Sequence, residues 1–269
     1  MLSTGVDMYA RRREIRAGSE IFSVRGFEEI VAPDGTCRVL RADARQGSVR
    51  AREVRLVRLD VLRGGVGADQ WRAGLKAEAR LHDEVAGLPR VVFRFEERDA
   101  LTFATGMPPG VALTELYGRP PWSGRVLGDV LRGLVLVGRT LEGLHRTGRA
   151  HRALRPEVLL ASRDRMWLRD AGLAAAPPEA GEGADAYRAP EQRRAVAGAA
   201  TDVYQLAAIV YHLVTGEAPV TDPLPVSLLR PEWGRLDETL AAALHRDPGQ
   251  RPTVAGLTGA LSRLADRAA

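Results

Sequence analysis

The sequence predicts an α+β fold in two lobes: a small β-rich lobe carrying one helix, then a larger, mainly helical lobe. Three observations carry this. Short apolar runs broken by turn residues fill the stretch from Phe27 to Thr105. One segment inside it, "ADQWRAGLKAEARLHDEVAG", instead places Trp71, Leu75, Ala79 and His82 at helical spacing. Beyond "MPPG" (107–110) the period becomes helical almost to the end.

The β-rich stretch reads as "FEEIVAPDGT", "CRVLRADARQGS", "REVRLVRLDVL" and "RVVFRFEERDALTFAT", with "APDG" and "RQGS" as turns. Residues 1–26 are weakly patterned and are expected to be an extension, leaving 27–106 as the first lobe and 107–269 as the second. In the second, a long helix is expected from a cap at Ser123 to about Arg146, with Gly148 just past its end. Two short strands, "VLLAS" and "MWLRD", follow. Thr201 is expected to cap "DVYQLAAIVYHLV", which stops at Gly216, and two further helical segments close the chain.

Hydrophobic residues make up 45% and charged residues 27% of the 269 positions, enough for a real core. The stretch Val126–Leu144 is long enough to suggest a membrane span, but Gly128, Asp129, Arg132, Gly133 and Arg139 interrupt it. A lone cysteine, Cys37, permits no internal disulfide and agrees with a cytoplasmic location, as does the absence of signal-peptide order at the N-terminus. Net charge is +5, yet the 38 arginines and one lysine are spread among acids with no basic-aromatic stripe. Nucleic-acid binding is therefore not favoured. The five histidines show no metal-ligand spacing, so no metal site is expected.

Five motifs occur in order in the second half. They are "GLHRTGRAHRALRPEVLL", "MWLRDAGLA" with Asp170-Ala171-Gly172, "YRAPEQ" with Ala189-Pro190-Glu191, "TDVYQLAAIVYHLVTGEAP" opening on Asp202, and "DPGQRPT" with Arg251. Together they resemble the eukaryotic-type protein kinases found in bacteria as Ser/Thr kinases, most clearly over 134–266. The resemblance implies a catalytic loop at 151–158, a metal-binding turn at Asp170, and structural roles for His151, Arg152, Glu191, Asp202 and Arg251, with Glu191 paired to Arg251.

Measured against that family, the chemical groups are depleted. Ala32, Asp34 and Cys37 stand at the lid glycines, where "PDG" reads as a hairpin turn. Val57 stands at the strand lysine, with Arg58 beside it on the opposite sheet face. Lys76, the only lysine, falls on the helix. Glu78 matches the helix glutamate, to be paired with Arg58 or another arginine or turned to solvent. Ala153 replaces the base, Arg155 the loop lysine and Val158 a magnesium-binding asparagine. Asp170 remains, as a metal ligand or as a turn cap. Between Ala171 and Glu191 there is no Ser or Thr, and Tyr187 is the only hydroxyl.

The expectation is accordingly a degenerate member of the fold, a pseudokinase: catalytically inactive, acting as a scaffold or allosteric partner of an active kinase or another enzyme. No cofactor is expected beyond weak ATP–magnesium binding involving Asp170 and Glu78. Candidate partner surfaces are Arg11–Arg13, the helix containing Glu78, and residues 217–235. The alternative is an unconventional phosphotransferase or nucleotidyl-transferring enzyme using Arg58, Arg155 or Glu157, and a nucleic-acid module is a more distant third. Oligomeric state is not set by the sequence.

Overall fold

The computed structural model describes residues 13–47, 51–122, 124–162, 165–176, 178–220 and 222–266. Ser123, Arg11 and Arg12, named above, lie outside them. The described residues form two compact units. One runs to Glu84 and resumes at Pro89–Met107; the other takes Val85–Leu88 and everything from Pro108 on.

The first unit is a six-stranded sheet in the order β1-β2-β3-β4-β6-β5, antiparallel throughout. Its strands are β1 (Arg13–Ala17), β2 (Glu20–Val31), β3 (Cys37–Gln46), β4 (Arg52–Val61), β5 (Val91–Glu96) and β6 (Ala100–Gly106), with helix α1 (Val66–Glu84) between β4 and β5. Residues 13–26 are thus part of the sheet, which corrects the expected extension. Ile15, Ala17, Phe22 and Val24 alternate inward and are buried with Leu40, Ala42, Val54 and Leu56. The opposite face packs Val39, Val57, Leu59, Leu101 and Phe103 against Leu75 and Ala79 of α1. Both faces are therefore covered, and a charged side chain pointing to either must find a partner.

The second unit opens with a small sheet of β7 (Val111–Ala112), β8 (Leu159–Ser162) and β9 (Arg165–Leu168). Its helices are α2 (Leu113–Tyr117), α3 (Gly124–Arg146), α4 (Ala199–Thr215), α5 (Val226–Leu229), α6 (Asp237–Ala243) and α7 (Val254–Asp266). In α3, Leu127, Leu131, Leu134, Val137, Leu141 and Leu144 form one fully buried stripe at spacings of three and four. Helix α4 is apolar on nearly every side and correspondingly buried. It ends as expected at Gly216, whose left-handed φ of 87° suits a C-cap. Its N-cap, however, is Gly198. Thr201 sits in the first turn, where its Oγ1 accepts the Gly198 N–H and donates to Glu191. The helix begins three residues earlier than expected because Ala199, Ala200 and Thr201 extend it, the two alanines being good helix formers. Among the described residues, no helix is long and apolar enough to cross a membrane.

Candidate active site

In the second unit the site is built outward from Asp202. This carboxylate, completely buried near the start of α4, accepts the backbone N–H groups of His151 at 2.8 Å and Arg152 at 2.7 Å. It also bonds His145 Nε2 at 2.7 Å. A buried carboxylate without such partners would be strongly destabilising. Here it holds Arg152 in a left-handed conformation, φ 61°, unusual for a residue with a side chain. Two buried glutamines complete the support. Gln192 and Gln205 both donate to the Arg152 carbonyl, and Gln205 accepts the Leu154 N–H.

His151 connects this loop to the Asp170 turn. Its carbonyl accepts the Leu173 N–H, and its ring Nε2 lies 3.5 Å from Asp170 Oδ1. Asp170 closes its own turn by accepting the Gly172 N–H at 2.9 Å. Gly172 has φ 59°, and a Cβ there would fall 2.5 Å from the His151 ring and carbonyl, so only glycine fits. Ala171 is buried, Ala153 is partly exposed, and Val158 is buried beneath the loop. Arg155 lies beside Glu157, both about half exposed.

The Arg152 side chain turns toward the segment after Gly172. It donates to the Leu173 and Ala176 carbonyls and faces Glu182 at 3.4 Å, with both charged side chains nearly excluded from solvent. Burial pulls the Arg152 guanidinium down from its usual range, and Glu182 and Asp202 oppose that. Farther along, Glu191 and Arg251 form the expected pair through two bonds of 2.8 and 2.9 Å. Burial alone would raise the Glu191 carboxyl, but bonds from Arg251 and Thr201 outweigh it and hold it low. Tyr187 packs inside, as expected, with its hydroxyl 2.6 Å from His212 Nδ1. Burial first, and Glu157 second, push the Tyr187 phenol up to about 12.

In the first unit, Ala32–Thr36 forms the tight turn between β2 and β3. Asp34 Oδ1 closes it by accepting from Thr36 N and Oγ1, while Ala32 and Cys37 are buried. Val57 is buried in the core facing α1, and Arg58 points to the other face, onto Asp60, Thr102 and the Arg16 carbonyl. Lys76 pairs with Glu96 at the surface. Glu78 is buried, and its partner is neither Arg58 nor solvent. Arg41 of β3 grips it with two bonds of 2.6 Å.

No family model matches the chain. The serine/threonine-protein kinase PknI of Mycobacterium tuberculosis strain H37Rv is 36% identical over 141 residues, which are 46% of this chain and 22% of that protein. PknL of the same strain, also a serine/threonine-protein kinase, is 32% identical over 150 residues, 47% of this chain and 36% of the relative. The matches thus span about a fifth to a third of these relatives. The crystal structure of the M. tuberculosis PknI kinase domain superposes with a TM-score of 0.61 at 22% identity, covering 96% of this chain and 100% of that one. The chain has the protein-kinase fold.

The relatives also overturn one expectation. They are named as serine/threonine-protein kinases, so a catalytically inactive scaffold fits this chain less well than an enzyme does. Val57, Ala153 and Val158 carry no ionisable side chain, which is not by itself inactivity.

Sequence reading missed Arg41, Glu182, Gln192, Gln205 and His145. Arg41 carried a usable sign. Cys37, Val39 and Arg41 alternate onto one face of β3, so a charge there is aimed inward, where it needs a partner. The glutamines and Glu182 gave no comparable sign, since their shared partner Arg152 lies 30–53 residues away.

Proposed function

We propose that this chain is an ATP-dependent phosphotransferase acting on serine or threonine hydroxyls of a protein partner, and that it works with a reduced set of polar groups. The observation that carries this is the placement of Asp170. Its carboxylate is partly exposed and is held beside a loop whose backbone is locked by Asp202. Phosphoryl transfer in this fold depends chiefly on positioning and charge stabilisation, so a fixed frame with one retained carboxylate is its minimum. The names of the relatives support the same class of reaction.

The residues present fit magnesium only sparingly. Val158 offers no oxygen, and no cluster of three or more metal-ligating side chains occurs among the described residues. Magnesium nevertheless tolerates one protein carboxylate when phosphates and water supply the other ligands. Asp170 would hold it, and the ion would neutralise phosphate charge. Ala153 provides no side-chain base, and a positioned base is worth ~10²–10⁴ in rate. The expected enzyme is therefore slow. A cytoplasmic setting, where ATP and protein hydroxyls are both at hand, belongs to the same proposal.

The test is transfer of labelled γ-phosphate from ATP–magnesium to a library of serine and threonine peptides. The parent protein should label peptides, and Asp170→Asn should lose at least about tenfold of that rate. Labelling at background level by the parent protein, with either magnesium or manganese, would sink the proposal.

A further inference from the structure

We propose that the face around Leu224–Leu229 in the second unit docks a partner protein, through a segment that places a large apolar side chain beside a lysine or arginine. This goes beyond the phosphotransferase proposal and does not depend on it, since docking is read as binding, without turnover. Nine large apolar side chains are exposed among the described residues, and three of them, Leu224, Leu228 and Leu229, fall in this one short stretch. They are 56%, 67% and 44% exposed. Single exposed apolar residues are ordinary, but a cluster of them marks a surface that something covers.

At Leu224 the stretch borders a groove of about 320 Å³, whose apolar walls include Leu224, Val226, Leu240 and Leu244. That volume is at the small end of the range of about 300–1,000 Å³ for ligand sites, and it suits one inserted side chain better than a cofactor. The ionisable residues in the lining are Asp237 and Glu238, with no basic one among them. In a chain of net charge +5 an acid-only lining is the exception, and it calls for a cation on the occupant. The neighbouring arginines are turned elsewhere. Arg230 is held by Glu232 and the Val214 carbonyl, and Arg235 stacks over the Trp233 ring.

The face is also ordered in advance. Pro223 and Pro225 flank Leu224, whose carbonyl accepts the Tyr211 hydroxyl at 3.1 Å. Asp237 Oδ1 accepts the Ser227 N–H at 3.0 Å and fixes the start of α5. A surface set before binding loses little entropy when a partner arrives. A second copy of this chain suits the face less well, because a symmetric pair would lay it on itself, acid against acid.

Selection of random displayed peptides on the full chain tests this. The enriched sequences are then made as labelled peptides and titrated by fluorescence anisotropy, with thermal unfolding of every variant followed in parallel. They should pair a leucine, isoleucine, methionine or phenylalanine with an adjacent lysine or arginine, and they should bind less tightly as salt rises. Leu224→Ser and Glu238→Lys should each weaken binding about tenfold or more. Leu62→Ser, at a comparably exposed leucine of the first unit, should leave it unchanged. Leu228→Ser is read in place of Leu224→Ser if that variant does not fold. No enrichment above a blank surface, enrichment of acidic sequences, or parental affinity in either folded variant overturns the proposal. So does a dimer in sedimentation that Leu224→Ser returns to monomer, which assigns the face to a second copy instead.

Discussion

Asp202 holds the backbone of Arg152 in a left-handed conformation, by a 2.7 Å bond from an N–H group 50 residues earlier in the chain. The arrangement is conditional. A non-glycine residue at positive φ persists only where its surroundings over-determine it. Asp202→Ala removes the acceptor for two buried N–H groups and for His145 at once. We expect a loss of about 3 kcal/mol or more in unfolding free energy, read by urea titration. A loss below 1 kcal/mol would mean that Gln192 and Gln205 hold the loop unaided.

Glu191 and Arg251 give stability a definite pH dependence. The folded carboxyl lies below its ordinary value of 4.5, so its contribution is complete above that value and is lost as pH falls through the lower, folded value. Glu191→Gln should be clearly less stable than the parent at pH 7, and the gap should narrow as pH falls below 4.5. Melting temperatures measured from pH 7 to pH 3 decide the matter. A gap independent of pH would assign the loss to packing.

Ala153 lies next to Arg152 in a loop whose backbone is already fixed. A carboxylate placed there would enter a prepared frame. Ala153→Asp should therefore raise peptide phosphorylation by at least about tenfold, within the ~10²–10⁴ available to a positioned base. Labelled-phosphate transfer measures it. An unchanged rate in a folded variant would show that proton removal does not limit this protein.

Glu182 and Arg152 fasten the segment after Gly172 without any modified residue. Between Ala171 and Glu191 the sequence has no Ser or Thr, and the carboxylate supplies the charge directly. Removing it leaves a buried guanidinium without its anion, a costly state. Glu182→Ala should raise amide exchange over residues 173–188 by about tenfold or more, while exchange in α3 stays at the parental rate. Uniform change across the second unit would instead indicate general destabilisation.

The two-lobed α+β class, the order of elements and the loop frame at His151, Arg152, Asp170, Glu191, Asp202 and Arg251 were legible in the sequence. They rest on local spacing, helical or strand periodicity and motif order, all of which survive translation along the chain. Residues 13–26 were misjudged because their alternation spans only Ile15–Ala17 and Phe22–Val24, too briefly to stand out before pairing is known. The partner of Glu78 was not legible either. Arg41 lies 37 residues away, and the two meet only once the β3–β4 register and the seat of α1 are set. The sequence by itself determined which chemical groups this protein has and which it lacks. The tertiary structure alone decided which groups stand together, because burial forces each inward charge to its nearest opposite and that choice depends on packing rather than on position in the chain.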